Sequence, residues 1–415
     1  MKFVAIICEF NPLHNGHELL IKRARELSEA DAVLCIMSPD FTQRAEPAIA
    51  SARVRAQAAL LCGADVVLEL PTLYATACGE RFSEGAVNII NSIKGITHLA
   101  FGSESGDIEF LSRIADIRAN ESNEFKTIIK GYLSGGISYA KALSLAISDM
   151  LKLDNDVSLP NDLLGVEYLI QLRKFGLCDS YRDYDAGRNV EPITIKRVGA
   201  NHHDNNINGE FSSSSAIREA IATRNIKSAK DAIPKKAQKA IMGAIKNFKV
   251  DYNKFELLAI NALRLNDLSA CPDNGEGLDN KLKAAAQEFV NLDNVFSKAK
   301  SKRYTHARLR RLTLQAMLGI THYPDISGNG IDCDFKIPSR LIGISKKLKA
   351  KILPCLPVNI IKQNRDYSRY VSGLSEQNKI ACNYIEKINA NAALIYLLLQ
   401  NRIGGFYKDE VLLEV

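Results

Sequence analysis

The feature that most constrains the fold is the alternation of short apolar segments with helical patterns in the first 110 residues. Strands are predicted over 2–8, 32–37 and 66–70, and helices over 16–28 and 49–62. This alternation is typical of βαβ units. The strand segments are continuously apolar, as expected when helices cover both faces of a parallel sheet. The sequence therefore predicts an α/β domain built on a parallel sheet.

A polar loop follows a further predicted strand over 97–101. This loop, Gly102–Asp107, is rich in glycine and serine. It should lie at the carboxyl edge of the sheet, where open α/β folds bind their ligands. Beyond it the sequence predicts helices over most of 108–180, a strand over 193–198 and mainly helices from residue 226 onward.

The charge differs between the two halves of the chain. Residues 1–225 hold 23 Lys and Arg against 29 Asp and Glu, whereas residues 226–415 hold 31 against 18. Basic surfaces favour nucleic acid because they neutralise phosphates and release counterions. We therefore predict a catalytic domain at 1–225 and a basic, mostly helical RNA-binding domain at 226–415, with solubility as the ordinary alternative explanation of the lysines.

Composition excludes several classes of protein. The longest apolar runs are far shorter than the roughly 20 residues of a membrane-spanning helix, and the N-terminal run is too short for a secretory signal. The nine cysteines contain no C-x-x-C pair, which argues against zinc and disulfides. We expect a cytoplasmic protein with no membrane association, no resident metal site and no obligatory protein partner.

The sharpest motif lies between the first strand and the first helix. It is the segment Glu9–His17, which contains His14-Asn15-Gly16-His17. A nucleoside triphosphate over this turn would meet two imidazoles and the free N–H groups of a helix N-terminus. Phosphoryl and nucleotidyl transfer need chiefly such positioned donors. A serine run at Ser212–Ser215, followed by Arg218, is a second candidate phosphate site at a helix start.

Together these two motifs resemble the H-x-G-H and S-S/A-T-x-I-R signatures of the nucleotidylyltransferase superfamily. Further segments narrow the resemblance to the bacterial tRNA(Met) cytidine acetate ligase family. They are Phe41–Ala48, Gly63–Pro71, Phe101–Glu104, Asn161–Leu169, Lys196-Arg197 and Lys302–Arg311. The resemblance covers nearly the whole chain and implies a Rossmann-like nucleotidylyltransferase domain followed by a mostly helical domain. It also implies an ATP-dependent ligase that converts acetate to acetyl-adenylate and acetylates N4 of the wobble cytidine of elongator tRNA(Met).

The resemblance also implies site residues. His14, His17, Ser213 and Arg218 would be catalytic, acting on the α-phosphate and the leaving pyrophosphate, with Mg²⁺ bridging phosphate oxygens. The implied ATP site comprises Ile7, Cys8, Glu9, Phe10, Asn11, Pro12, Leu13, His14, Asn15, Gly16, His17, Glu18, Leu19, Leu20, Gly102, Asn161 and Arg197.

The segment 298–311 is the candidate RNA-binding surface. It has seven basic residues and no acidic one. Arg and Lys would neutralise phosphates while Tyr304 stacks on an unpaired base. The predicted RNA-binding residues are Lys302, Arg303, Tyr304, Arg308, Arg310 and Arg311; a solvated helix face is the ordinary alternative.

The chain departs from the family pattern at several positions. Pro39-Asp40 replaces a Gly-Asn pair, Ala45 replaces a glycine, and Ser51-Ala52 replaces an Asp-Lys pair. If the missing lysine contacts ATP or acetate in relatives, then we expect that Arg53 or Arg55 compensates, or that this protein is slower or takes a different acyl substrate. Two other functions stay open on the sequence: a small-molecule adenylyltransferase, and a tRNA-binding protein with a vestigial nucleotide site.

Overall fold

The computed structural model describes residues 1–153, 160–178, 188–197, 212–301, 304–326, 335–402 and 412–415. Within these residues the strands are β1 (Phe3–Cys8), β2 (Ala32–Met37), β3 (Val66–Glu69), β4 (Ile96–Ser103), β5 (Glu191–Lys196), β6 (Ser339–Ile344), β7 (Ile360–Ile361) and β8 (Leu413–Glu414).

The helices of the first half, as far as the structure describes it, are α1 (Asn15–Ser28), α2 (Ala52–Leu61), α3 (Thr72–Ala75), α4 (Gly79–Ser92), α5 (Ile108–Asn120), α6 (Asn123–Ser134), α7 (Tyr139–Leu151), α8 (Pro160–Lys174) and α9 (Ser214–Ala222). Those of the second half are α10 (Ile226–Asp231), α11 (Lys235–Asn247), α12 (Tyr252–Leu265), α13 (Leu278–Glu288), α14 (Leu292–Ala299), α15 (His306–Leu318), α16 (Lys349–Ile352), α17 (Asn364–Ser372) and α18 (Glu376–Leu399).

The strands form one sheet in the order β5-β4-β1-β2-β3-β6-β7, and β8 pairs with β6. Strands β1 to β5 pair in parallel, whereas β6 runs antiparallel to β3. Strands β2 and β3 lie on one side of β1, whereas β4 and β5 lie on the other. Because the strand order reverses between β1 and β4, the carboxyl ends of these two strands form the crevice where such sheets bind ligands.

Both faces of the sheet are covered. All six residues of β1 are buried, and its alternate side chains enter two different core clusters: Phe3 belongs to one, and Val4 to the other. This arrangement confirms the α/β fold class and explains why the strands are continuously apolar.

The second half of the chain is mostly helical, as predicted, but it also completes the sheet. Val66 of β3 pairs with Ile344 of β6. The buried amide of Asn88, on α4, donates to Phe335 O (3.0 Å) and accepts from Ile337 N (2.8 Å). The division at residue 225 therefore remains a prediction about roles, since the two halves share a sheet and a hydrophobic core.

Among the described residues, no helix is both long and apolar enough to cross a membrane, and the cysteines are free thiols. The sequence offers two further features: a weak metal-ligand candidate at His202-His203-Asp204 and an insertion-like stretch at about 323–336. His202, His203 and Asp204 lie outside the described residues, as do residues 327–334 of that stretch.

Candidate active site

A cleft of about 410 Å³ opens at the carboxyl ends of β1 and β4. Ile7 and Cys8 end β1 there, and Phe101 and Gly102 belong to the end of β4. Helices α1, α8 and α9 supply the walls. The cleft therefore occupies the point of strand-order reversal that the topology marks as a ligand site.

The turn between β1 and α1 is held in an irregular conformation. Phe10 has a left-handed backbone (φ 50°), and the peptide bond between Asn11 and Pro12 is cis. Side chains of α2 and α9 donate to three carbonyls of the turn: Arg55 Nη1 to Glu9 O (2.6 Å), Arg218 Nη1 to Asn11 O (2.7 Å) and Ser214 Oγ to Pro12 O (3.2 Å). Two helices distant in sequence therefore fix the shape of this turn.

His14 and His17 are locked against each other at the start of α1. His14 caps the helix, because its Nδ1 accepts the backbone N–H of Gly16 at 3.1 Å. Nδ1 of His17 accepts the backbone N–H of His14 at 3.4 Å. Since both Nδ1 atoms act as acceptors, each neutral ring carries its proton on Nε2. Both residues line the cleft.

Burial lowers the pKa of His14 to about 3, with Arg197 as a second cause. Burial also lowers the pKa of His17 well below its ordinary value, assisted by His14 and Arg197. Without a bound anion both imidazoles are therefore neutral at pH 7. They offer N–H donors rather than cations, and the positive charge comes from the arginines.

Helix α9 brings the second predicted motif to the same cleft. Ser213 caps it, with Oγ accepting from Ala216 N at 3.1 Å. Arg218 also contacts Ser215 Oγ at 3.3 Å. Ser213, Ser215 and Arg218 all line the cleft. The structure thus places the two motifs, about 200 residues apart in sequence, on one cavity.

On the opposite wall of the cleft, the loop after β4 and the start of α8 form reciprocal hydrogen bonds. Asp162 is 1% exposed and accepts from Ser103 Oγ (2.5 Å) and Glu104 N (2.9 Å). In return the carboxylate of Glu104 accepts from Asp162 N (2.9 Å) and from the side chain of Asn161 (2.5 Å). The loop after β4 and the start of α8 are therefore joined, and Asn161 is held at the cleft.

Most of the predicted ATP-site residues lie at the cleft, but not all do. Those lining it are Ile7, Cys8, Glu9, Phe10, Asn11, His14, His17, Leu20, Gly102, Asn161 and Arg197. Gly16 and Leu19 line a smaller cavity beside it. Leu13 is fully buried. Asn15 and Glu18 face the second half instead, where Asn15 donates to Asp231 O (3.2 Å) and Glu18 pairs with Lys236 (2.8 Å).

The cleft also contains residues that the sequence analysis did not assign to it. They are Gln43, Arg44, Gly79, Phe82, Phe101, Pro160, Leu163, Leu164, Glu167 and Tyr168. Most of the helical ones, such as Leu163 and Tyr168, look like ordinary core positions in the sequence. Only the recurrence of Phe41–Ala48 and Asn161–Leu169 in the family resemblance could have indicated them.

Glu9 is the carboxylate nearest the turn. It lines the cleft and accepts from Gln43 N at 2.7 Å. Burial raises the pKa of Glu9, although that hydrogen bond and nearby arginines oppose the change. A carboxyl group with a raised pKa in a cleft is a candidate for proton transfer or metal contact.

Arg55, one of the two arginines expected to compensate for the missing lysine, does not line the cleft. This side chain is fully buried, and besides Glu9 O it donates to Ala50 O (2.9 Å), Ser38 O (3.0 Å) and Pro39 O. Arg53 and Ala52 line a different cavity, next to β6. The position of the missing lysine is thus outside the cleft in this structure.

The predicted RNA-binding segment is more tightly packed than expected. Tyr304 is 8% exposed and donates to Glu276 O at 2.8 Å, so its ring is not available to stack on a base, contrary to the expectation. Arg311 forms an ion pair with Asp273 at 2.8 Å, and Arg308 Nε donates to Asp273 O at 2.8 Å. Lys302 and Arg303 lie outside the described residues.

Arg310 differs from its neighbours because it reaches the first half of the chain. Its Nη1 lies 2.6 Å from Glu46 Oε1, and its side chain is 39% exposed. Glu46 belongs to the same loop as Gln43 and Arg44, which line the cleft. The basic helix α15 is therefore in direct contact with a wall segment of the active site.

The cleft lies where the strand order reverses. The start of α1, with its two histidines, faces the start of α9, with its serines and Arg218, across this cleft. This arrangement defines a nucleotidyl transferase site. The family described as HIGH Nucleotidyl Transferase matches residues 1–404. The tRNA(Met) cytidine acetate ligase of Clostridium acetobutylicum is 35% identical over 365 residues, which cover 84% of this chain and 86% of the relative. That of Caldanaerobacter subterraneus subsp. tengcongensis is 38% identical over 329 residues, covering 77% and 79%. This chain belongs to the tRNA(Met) cytidine acetate ligase family.

A solved structure agrees over the full length. The crystal structure of Thermotoga maritima TmcAL bound with alpha-thio ATP matches with a TM-score of 0.85 at 26% identity, covering 100% of both chains. The apo form of the same protein gives a TM-score of 0.85 at 27% identity. The fold, including the mostly helical second half, is therefore that of this family.

Proposed function

We propose that this protein is an ATP-dependent ligase that activates acetate as acetyl-adenylate and transfers the acetyl group to N4 of the wobble cytidine of elongator tRNA(Met). The observation that carries the proposal is the convergence of His14, His17, Ser213 and Arg218 on one cleft. The names of the relatives supply the substrates, and the alpha-thio ATP bound to the Thermotoga maritima protein supports a nucleotide in this cleft.

In the first step an acetate oxygen attacks the α-phosphorus of ATP, and the bond to pyrophosphate breaks. We assign the Nε2–H groups of His14 and His17 to the oxygens of the α-phosphate, because the Nδ1 atoms are occupied by backbone donors. Positioned neutral donors stabilise developing charge without solvent reorganisation. Arg218 and the N-terminus of α9 would hold the leaving pyrophosphate.

In the second step the cytosine N4 amine attacks the acetyl carbon. The bond from that carbon to the AMP oxygen breaks, and the amine loses one proton. Gly102, Asn161 and Arg197 would hold the adenosine portion at the β4 edge. A closed cleft protects the adenylate from water until the RNA arrives.

Mg²⁺ fits this site as a companion of the nucleotide. Within the described residues no cluster of three or more His, Cys, Asp or Glu side chains is placed to hold a metal. Protein Mg²⁺ sites of this kind commonly use substrate phosphates plus one or two carboxylates, and Glu9 is the carboxylate at the turn. Bound Mg²⁺ would neutralise part of the phosphate charge.

Since tRNA is modified in the cytoplasm, we also propose that this protein is located in the cytoplasm.

The test is to incubate the protein with ATP, radiolabelled acetate and unmodified elongator tRNA(Met), digest the RNA and look for N4-acetylcytidine. We expect ATP-dependent label in that nucleoside. His14→Ala should abolish it and leave tRNA binding nearly unchanged. An unlabelled product from a protein that binds both ATP and tRNA would overturn the acetate assignment, and a His14→Ala variant with normal activity would overturn the site.

A further inference from the structure

The cleft is bounded by helices from both faces of the sheet. Helices α1 and α9 pack on one face, where Ile21 and Ile217 belong to one core cluster. Helices α4 and α8 pack on the other face, where Phe82 and Tyr168 belong to the other cluster. The groups assigned above to the phosphates lie on the first side. Apart from Asn161 at the start of α8, the second side has no assigned ligand.

Tyr168 places a hydroxyl group on this second side. The residue is 3% exposed and lines the cleft, and no described residue forms a hydrogen bond with its hydroxyl. Burial raises the pKa of Tyr168 well above its ordinary value, with Cys8 and Glu9 as further causes, so at neutral pH the hydroxyl keeps its proton and can donate. Buried polar groups almost always have a partner. A ligand in the cleft would supply the missing one.

The wall around Tyr168 is apolar and closely packed. Phe82 and Phe101 line it and are 2% and 4% exposed, and the rings of Phe101 and Tyr168 meet edge-on with centroids 5.6 Å apart. A Cβ on Gly165 would lie 2.5 Å from Phe101 Cε2, so Phe101 has no room to move toward α8. Helix α4 is equally close to α8, because a Cβ on its first residue, Gly79, would lie 3.6 Å from the side chain of α8 that it faces. The wall therefore limits the size of a group placed against it.

Positive charge reaches the same region from the loop after β2. Arg44 lines the cleft, and its charge acts on both Glu9 and Arg218. Arg44 and Arg218 act to lower the pKa of Glu9 against the larger effect of burial. Their charge offsets the repulsion that a Glu9 carboxylate would exert on a bound anion.

These features match acetate. A carboxylate is held by cations and hydrogen-bond donors, whereas a methyl group gains from contact with apolar side chains. The position also fits, because the attacking and leaving oxygens of such a transfer lie roughly in line with the phosphorus. Since the pyrophosphate is assigned to Arg218 and α9, acetate has to approach from the opposite side, which is that of α4 and α8.

We propose that acetate binds between α4 and α8 at the carboxyl end of β1, with the Tyr168 hydroxyl donating to one carboxylate oxygen and the methyl group packed against Phe82 and Phe101. The second oxygen then attacks the α-phosphorus, and the bond to pyrophosphate breaks. The assignment rests on the proposed function and adds the binding site of the acyl donor. Because this site is part of the ATP cleft, the acetyl group is formed in the cavity that holds the α-phosphate.

The test measures initial rates of N4-acetylcytidine formation by the full-length protein. Acetate is varied with ATP and tRNA(Met) saturating, and ATP is then varied with the other two saturating. Tyr168→Phe should raise the KM for acetate by about ten- to a hundredfold, as expected for one lost hydrogen bond to a charged group, and leave the KM for ATP nearly unchanged.

Tyr74→Phe is the matched control. The hydroxyl of Tyr74 is also buried and without a hydrogen-bond partner among the described residues, and Tyr74 belongs to the same core cluster as Tyr168. It does not line the cleft. Both KM values should therefore stay at the wild-type level in this variant.

Acyl size gives an independent measurement. The wild type should use acetate in preference to propionate. Phe82→Leu, which has a smaller side chain, should raise the ratio of kcat/KM for propionate to that for acetate by about tenfold, the scale of one methylene group in an apolar pocket.

Three outcomes would overturn the proposal: an unchanged KM for acetate in Tyr168→Phe, an equal rise of the KM for ATP in that variant, or an unchanged propionate-to-acetate ratio in Phe82→Leu. A wild-type protein that forms no N4-acetylcytidine would instead refute the proposed function, and this result is read before any variant is compared.

Discussion

His17 accepts the backbone N–H of His14 while its ring stacks on the imidazole of His14 at 3.7 Å. Two stacked imidazolium cations at this distance would repel each other strongly, so the arrangement favours neutral rings. The two rings therefore present Nε2–H hydrogen-bond donors, and their stacked geometry depends on both rings staying uncharged until an anion binds.

The stability of the protein should depend on pH through His14. Its folded pKa of about 3 lies below the unfolded value, so the unfolded chain binds more protons between the two pKa values and stability falls as pH falls below about 6.5. Between pH 7 and pH 5 we expect a loss of about 2 kcal/mol from this group. Urea unfolding at both pH values measures it. His14→Asn, which keeps a helix-capping side chain, should show a smaller loss, and an equal loss in the variant would contradict the assignment.

Arg55→Met should destabilise the fold severely. The substitution leaves several buried carbonyls of the β1 and β2 turns without a donor, and we expect a loss of about 3 to 5 kcal/mol in unfolding free energy. Thermal or urea unfolding checks this value. Arg53→Met, in the same helix but half-buried, should cost much less; comparable losses would show that helix α2, rather than the turn carbonyls, is the sensitive element.

Gly165→Ala should destabilise a helix that alanine would ordinarily favour. A Cβ at residue 165 would lie 2.5 Å from Phe101 Cε2, so β4 and α8 would have to separate, at a cost of about 1 to 3 kcal/mol. Binding of ATP should weaken with it, because Phe101 lines the cleft. Gly243→Ala, where nothing lies within 4 Å of the new Cβ, should stabilise by about 0.5 to 1 kcal/mol. Equal effects of the two variants would argue against close packing at Phe101.

Arg311→Ala should affect stability more than RNA affinity. Arg311 and Asp273 are mostly buried and paired at 2.8 Å, and breaking such a pair leaves an uncompensated carboxylate, at a cost of about 3 to 5 kcal/mol. Titrations with tRNA at several salt concentrations should give nearly the wild-type slope, whereas Arg310→Ala should weaken binding. A clearly shallower slope for Arg311→Ala would restore the phosphate-binding role predicted from the sequence.

The first half of the sheet could be predicted from sequence because its signals are local. Strands over 32–37 and 66–70 are continuous apolar runs between helical patterns, and β2 (Ala32–Met37) has the predicted ends. Strand β6 was missed, since Ser339–Ile344 is short and mixed in character and becomes a strand by pairing with β3. Pairing partners far apart in sequence leave little local trace.

The candidate site shows the same difference between residues with local sequence signals and residues whose contacts come from distant parts of the chain. The histidine turn and the serine helix start carry strong local chemistry, and both lie at the cleft. Arg311 and Tyr304 are residue types typical of RNA-binding surfaces. In this structure, however, Arg311 pairs with the carboxylate of Asp273, and the Tyr304 hydroxyl donates to the backbone oxygen of Glu276. A basic run indicates a surface only when no acidic partner from elsewhere in the chain neutralises it, and the sequence does not show such partners.

The antiparallel contact between β3 and β6 has a consequence for synthesis of the protein on the ribosome. Until residues 339–344 emerge, β3 is an open sheet edge with unpaired backbone groups, and such edges promote association between chains. The early domain must therefore wait for about 270 further residues between Glu69 and Ser339 before its sheet is closed. A fragment ending near residue 225 would lack β6 and would therefore retain the exposed edge permanently.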